Sequence, residues 1–131
     1  MALPDRLVEA IRRLVGSHQD VRAVYVFGSQ LRGDSRPDSD LDLGVLFRTP
    51  QPLAATLMLE QALADATGKK VDLVDASRAG AFLALDIVRG ERIVSRDPTE
   101  TDRFELYVLR RAGDLLPFER QRQALLLAPP R

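Results

Sequence analysis

Two aspartates separated by one residue, Asp40 and Asp42, stand at the start of an apolar segment that predicts a β-strand. Because side chains alternate between the two faces of a strand, we expect both carboxylates on one face and Leu41 and Leu43 on the other. Two neighbouring carboxylates repel each other unless a cation lies between them, and hard oxygen ligands suit Mg²⁺. The pair therefore predicts a magnesium site, with water and substrate phosphates completing the coordination.

A third carboxylate, Asp72, lies within the apolar run Val71–Val74, which predicts another core strand. An unpaired charge on a buried strand is costly, and a metal ion or substrate would account for it. The alternative is a salt bridge to a lysine or arginine. Asp75, three positions further on, is better interpreted as the cap of the following helix.

The turn at Gly28-Ser29 follows an apolar strand and precedes a short helix predicted around Gln30 to Arg32. Exposed backbone N–H groups at the start of a helix form an anion site. Arg32 could bind a phosphate through two hydrogen bonds, or its side chain could simply be solvated. A phosphate site beside a metal site is typical of nucleotide chemistry.

Elsewhere, hydrophobic periodicity and Gly/Pro breaks predict alternating helices and strands. The final helix is expected to start at Asp97-Pro98-Thr99 and to be broken or restarted at Pro117. This order predicts an α/β (α+β) fold, a small mixed sheet flanked by helices. The predicted helices are 3–15, 53–66, 75 or 77 to 89, and 97 to at least 112; the strands are 21–27, 38–47, 70–74 and 91–95.

Composition narrows the class of protein. The 131 residues predict one domain, and a net charge of zero argues against general nucleic-acid binding. Without cysteine there can be no disulfide, zinc–thiolate site or cysteine nucleophile. The sequence has no signal-peptide pattern and no apolar run of membrane-spanning length, so we expect a cytoplasmic protein that does not contact membranes.

The combined pattern Gly28-Ser29-x10-Asp40-x-Asp42, with Arg32-Gly33 inside it, resembles the signature of the DNA polymerase β-like nucleotidyltransferase superfamily. The small size is similar to its minimal nucleotidyltransferase (MNT) branch. The resemblance implies that Gly28 and Ser29 hold the nucleoside triphosphate, with ATP as the expected substrate, and that Asp40 and Asp42 bind Mg²⁺. It also implies that Asp72 completes the metal site and helps activate the attacking hydroxyl.

The same resemblance implies a biological setting. MNT proteins act as antitoxins of HEPN-domain RNase toxins and transfer AMP from ATP to a toxin tyrosine. Two alternatives stay open: a transferase acting on small molecules of the aminoglycoside type, and a non-catalytic antitoxin that acts by occlusion.

The segment from Phe104 to Leu127 combines arginines with leucines that we expect to be exposed. It is the expected docking surface for the toxin, or for a second copy of the chain in a homodimer.

Overall fold

Four strands form one mixed sheet in the computed structural model of the chain, which describes residues 3–28 and 40–127. The α/β class and the mixed sheet are therefore confirmed. In chain order the elements are α1 (Asp5–Val15), β1 (Val21–Phe27), β2 (Leu41–Phe47), α2 (Leu53–Thr67), β3 (Val71–Asp75), α3 (Ala81–Val88), β4 (Glu91–Ser95) and α4 (Pro98–Leu127).

The strand order is β3-β2-β1-β4, with β1 antiparallel to both its neighbours and β2 parallel to β3. These directions bring the carboxyl end of β1 to the same sheet edge as the amino ends of the other three strands. We call this edge, where Gly28 follows β1, the Gly28 edge. The aspartates predicted at the strand starts, Asp40, Asp42 and Asp72, therefore all lie at this edge.

The two faces of the sheet are covered by different helices. One buried cluster joins Val26, Leu43 and their neighbours to α1 and α2, through residues such as Ile11 and Leu63. A second cluster places α3 and α4 over the opposite face. Because Leu41 and Leu43 are fully buried in the first cluster, alternation along β2 directs Asp42 to the α3/α4 face.

Helix α3 packs unusually close to the sheet at two glycines. A Cβ on Gly44 would overlap Ile87 Cγ2, and a Cβ on Gly90 would overlap the carbonyl oxygen of Val26. Only residues without a side chain allow these approaches. As a result, the end of α3 is held against β1 and β2 next to the Gly28 edge.

Helix α4 is attached to the sheet by a polar network that joins the buried Tyr25 to partly exposed and exposed charged side chains. The Tyr25 hydroxyl donates to Glu105 Oε2 at 2.7 Å, and Arg92 donates to the same oxygen at 2.8 Å and to Asp102 at 2.9 Å. Burial, and then the hydrogen bond to Glu105, raise the pKa of Tyr25. The hydrogen bonds to Asp102 and Glu105 raise the pKa of Arg92. The network fixes the first half of α4 over β1 and β4.

Two predictions about helix ends were wrong. Neither Asp75 nor Ser77 caps α3, which begins at Ala81 with Gly80 at its N-cap. Asp75 instead ends β3 and accepts hydrogen bonds from the Ser77 backbone N–H and hydroxyl at 3.0 and 2.8 Å, which closes a local turn. Pro117 does not break α4, which runs through it as one helix.

The other element boundaries agree closely with the sequence prediction. Strands β1 and β4 have the predicted limits, and β3 is shifted by one residue. Helix α1 starts at Asp5 rather than residue 3, and α2 ends at Thr67, one residue beyond the prediction. Strand β2 starts at Leu41, so Asp40 precedes the strand rather than alternating within it.

Candidate active site

Asp42 and Asp72 lie side by side across the parallel pair β2–β3, where the ladder makes them register partners. Both lie within the first two residues of their strands, at the Gly28 edge. Asp42 is partly buried and Asp72 is exposed, and none of the described residues forms an ion pair with Asp72. The salt-bridge alternative for Asp72 therefore has no support within residues 3–28 and 40–127.

Gly28 touches the same carboxylate from the other side. It follows Phe27, the β1 partner of Asp42, and has a φ of +78°, in the left-handed region. A Cβ at Gly28 would overlap Asp42 Oδ2. Both the backbone conformation and the contact require glycine, so Gly28 determines the space that the Asp42 carboxylate occupies.

Asp40 occupies a more open position. Its Oδ2 lies 3.9 Å from Lys70 Nζ, and the two side chains are 51% and 80% exposed. A pair this exposed contributes little stability. The Leu41 N–H donates to the Lys70 carbonyl at 2.8 Å, which ties the entries of β2 and β3 together. Asp40 and Lys70 thus flank the Asp42–Asp72 pair at the solvent side.

The carboxylates of Asp40, Asp42 and Asp72 are the oxygen donors that the sequence predicts as Mg²⁺ ligands. Within the described ranges, no group of three or more His, Cys, Asp or Glu side chains is arranged to hold a metal ion. Mg²⁺ usually takes only one or two protein carboxylates, with waters and phosphates in its other positions. The adjacent carboxylates of Asp42 and Asp72 fit that requirement, and Asp40 as a further ligand remains a prediction.

Two predicted nucleotide-binding residues, Ser29 and Arg32, lie outside the described residues, as does the short helix expected there. The structure also brings the backbone of Arg89, the C-cap of α3, close to the Gly28 edge, and the sequence analysis did not single this residue out. It precedes Gly90, which packs on the last residues of β1 at the Gly28 edge. In the sequence, Arg89 is only a basic residue at the end of a predicted helix. Its position near the Gly28 edge could therefore be recognised only from the folded structure.

Residues 9–99 match the family model for the polymerase beta nucleotidyltransferase domain. The chain belongs to this nucleotidyltransferase family. It is also 30% identical, over 107 residues, to the protein adenylyltransferase MntA of Shewanella oneidensis, covering 81% of this chain and 74% of that protein. The Asp42–Asp72 pair and the Gly28 turn therefore belong to a nucleotidyltransferase.

Solved structures with the same fold include a toxin–antitoxin with AMP-PNP, at a TM-score of 0.72 and 26% identity, covering 91% of this nucleotidyltransferase and 94% of that chain. A second is an MNT antitoxin in complex with the tri-AMPylated HEPN toxin of Shewanella oneidensis. It has a TM-score of 0.68 and 24% identity, with 92% of each chain covered. At this identity the second likeness establishes the fold.

The rest of the described surface includes exposed apolar side chains on α4. No helix among the described residues is long and apolar enough to span a membrane. Beyond Ala112, α4 carries large apolar side chains that are exposed to solvent, including Phe118 at 70% and Leu125 at 72%. These side chains form the exposed apolar surface that the sequence predicts for this segment.

Proposed function

We propose that this nucleotidyltransferase transfers AMP from ATP to a tyrosine hydroxyl of a HEPN-domain toxin and thereby acts as its antitoxin. The observation that carries the proposal is the register pairing of Asp42 with Asp72 beside Gly28, in a chain of this family. The relative named protein adenylyltransferase supports AMP as the transferred group and a protein as the acceptor.

In the proposed reaction, the acceptor hydroxyl oxygen attacks the α-phosphorus of ATP. A new O–P bond forms, the bond from the α-phosphorus to the bridging oxygen breaks, and pyrophosphate leaves. The hydroxyl proton passes to the Asp72 carboxylate, which is solvent-accessible and can release it again. Gly28 and Ser29 would hold the triphosphate, with Arg32 as a further phosphate ligand.

Asp42 and Asp72, with Asp40, would hold Mg²⁺. When bound there, Mg²⁺ lowers the pKa of the attacking hydroxyl and neutralises the charge of the leaving pyrophosphate. The chain contributes the fixed separation of the two strands, which places two carboxylates next to each other before any ligand arrives. Gly28 contributes space, because any side chain there would displace the Asp42 carboxylate.

The acceptor assignment is supported by the relatives of the chain. The toxin–antitoxin with AMP-PNP contains an ATP analogue, and in the Shewanella oneidensis complex the HEPN toxin is tri-AMPylated. A protein hydroxyl is therefore a better candidate than a small molecule such as an aminoglycoside. The intact Asp42–Asp72 pair favours catalysis over occlusion, since a purely steric inhibitor has no use for adjacent carboxylates.

The test is mass spectrometry of a HEPN-domain protein encoded beside this chain, co-expressed with it and then incubated with ATP and Mg²⁺. We expect AMP on tyrosine, dependent on Mg²⁺ and abolished by Asp42→Asn. If the partner stays unmodified yet is silenced equally by wild type and Asp42→Asn, occlusion replaces the enzymatic proposal. If only aminoglycosides are labelled, the small-molecule alternative is correct.

A further inference from the structure

A groove of about 140 Å³ lies between α3 and α4, on the sheet face to which Asp42 is directed. From α3 it is lined by Phe82, Leu85 and Arg89, whose spacing of three and four residues puts them on one side of the helix. Phe82 is 38% exposed, so the groove opens to solvent.

Helix α4 supplies the opposite wall with the same periodicity, through Leu109, Ala112, Gly113 and Leu116. Leu109 and Leu116 are exposed to 45% and 37%, whereas Ala112 is buried at the bottom. The walls are thus apolar along their whole length, apart from Arg89 at one end. The volume of the groove is well below the roughly 300 to 1,000 Å³ of pockets for drug-sized ligands. The groove therefore suits a single side chain.

Gly113 stands in the interior of a 30-residue helix, where glycine costs about 0.5–1 kcal/mol relative to alanine. A Cβ at this position would meet no atom within 4 Å. The ring of Pro117, four residues later, crowds the Gly113 carbonyl, but that carbonyl is present whatever residue stands at 113. Packing within the described chain therefore does not demand glycine, and its missing side chain leaves the groove open.

Arg89 connects the groove to the candidate active site. Two residues earlier, Ile87 packs on Gly44 of β2, and one residue later Gly90 packs against Val26 and Phe27 of β1. Phe27 is the register partner of Asp42. The Arg89 side chain is exposed and forms no hydrogen bond or ion pair with any residue of the described ranges. The Arg89 end of the groove therefore carries an available positive charge next to the Gly28 edge.

We propose that this groove docks the acceptor protein, receiving one apolar side chain while Arg89 pairs with an acidic residue of the same acceptor segment. Anchored at these two points, the segment presents its tyrosine hydroxyl at the Gly28 edge. The inference rests on the proposed function, whose acceptor it describes. It predicts that acceptors carry an apolar and an acidic residue close to the modified tyrosine.

Filling the groove tests the apolar contact. Gly113→Leu places a side chain in space that is empty in the free protein, and it replaces glycine with a better helix former, so the fold is retained. We expect the KM for the HEPN protein to rise about tenfold, with a smaller rise for Gly113→Ala. The matched control is Ala54→Leu, which adds the same side chain at an exposed position of α2 on the other sheet face.

Charge reversal tests Arg89. We expect Arg89→Glu to raise the KM for the HEPN protein about tenfold while the Kd for ATP, from calorimetry, stays unchanged. Arg13→Glu makes the same change in the last turn of α1 and should leave both constants unaltered. An unchanged KM in both Gly113→Leu and Arg89→Glu overturns the proposal. A weakened Kd for ATP in Arg89→Glu would assign this arginine to the nucleotide instead.

Failure of the proposed function is distinguishable from failure of the groove. If the wild-type chain binds the HEPN protein without modifying it, the transferase proposal fails, and the groove is tested by the Kd of the complex. Weaker binding by Gly113→Leu but not by Ala54→Leu would then still support docking in the groove. Equal binding by both variants would overturn it.

Discussion

Asp42 and Asp72 are register partners on adjacent parallel strands, although they lie thirty positions apart in the sequence. The β2–β3 ladder therefore sets their spacing independently of any flexible loop. Gly28 closes the third side, since its α-carbon faces the Asp42 carboxylate. The part of the site that the structure describes is held by backbone pairing, which positions side chains more precisely than a loop does.

Removing the charge of either carboxylate should strongly reduce transfer. Asp42→Asn and Asp72→Asn keep the shape of the side chain but lose the negative charge, so we expect activity to fall by about 100-fold or more with little change in the melting temperature. Labelled ATP and thermal unfolding measure the two quantities. Asp86→Asn, at an exposed position of α3, is the matched control. Near-wild-type transfer by both active-site variants would refute their catalytic assignment.

A side chain at Gly28 should displace the Asp42 carboxylate. We expect Gly28→Ala to destabilise the fold by about 1–2 kcal/mol through its positive φ, and to weaken ATP binding as well. Gly68 at the end of α2 also has a positive φ, of 70°, but a Cβ there meets nothing within 4 Å. Gly68→Ala should therefore lose stability alone. Equal ATP affinities in calorimetry for the two variants would contradict the role of Gly28.

Titration of Tyr25 should destabilise the protein in alkali. Burial, followed by the Glu105 hydrogen bond, raises the pKa of Tyr25 above its ordinary value of 10.0. A group with a raised folded pKa stabilises the protein fully below the unfolded pKa and loses that contribution as the pH rises further. We expect the free energy of unfolding to fall above about pH 10 in the wild type, and to fall less in Tyr25→Phe.

Denaturant unfolding from pH 8 to 11 measures this slope. Tyr25→Phe should itself cost about 1 kcal/mol at neutral pH, since it removes the hydrogen bond to Glu105 while Arg92 still pairs with that carboxylate. Tyr107→Phe changes the exposed tyrosine of α4 and serves as the control. An alkaline slope that disappears in Tyr107→Phe, but persists in Tyr25→Phe, would exclude this role for the buried hydroxyl.

Pro117 should weaken the second half of α4. Proline lacks the N–H that would donate to the Gly113 carbonyl, and its interior position in a helix costs about 3 kcal/mol. We expect Pro117→Ala to raise helical content in circular dichroism and to slow amide exchange after residue 113. Exchange rates equal to those of the wild type would show that α4 does not depend on this position.

Much of the fold follows from local patterns in the sequence. The apolar segments 21–27 and 91–95 predict β1 and β4 with their observed limits, because strand length and turn residues are encoded locally. The boundary errors arise where tertiary contacts override local preference. Asp75 has the chemistry of a helix cap, but β3 extends to include it and its carboxylate closes a turn with Ser77.

Pro117 illustrates the same limit, because a helix-breaking residue is tolerated within a helix whose first half is fixed on the sheet. That attachment depends on the hydrogen bond between Tyr25 and Glu105, which lie eighty residues apart in the sequence. No local sequence pattern predicts such a contact.

The sequence by itself predicted which residues carry the chemistry: the Gly28 turn, the two aspartates ahead of β2 and within it, and Asp72 in the next core strand. It did so because residue type and alternation within one strand are local properties. Only the tertiary structure decided that Asp42 stands opposite Asp72, that Gly28 faces the same carboxylate, and that Arg89 lines a groove between α3 and α4. Strand register and helix packing depend on contacts between distant segments, which a linear pattern does not specify.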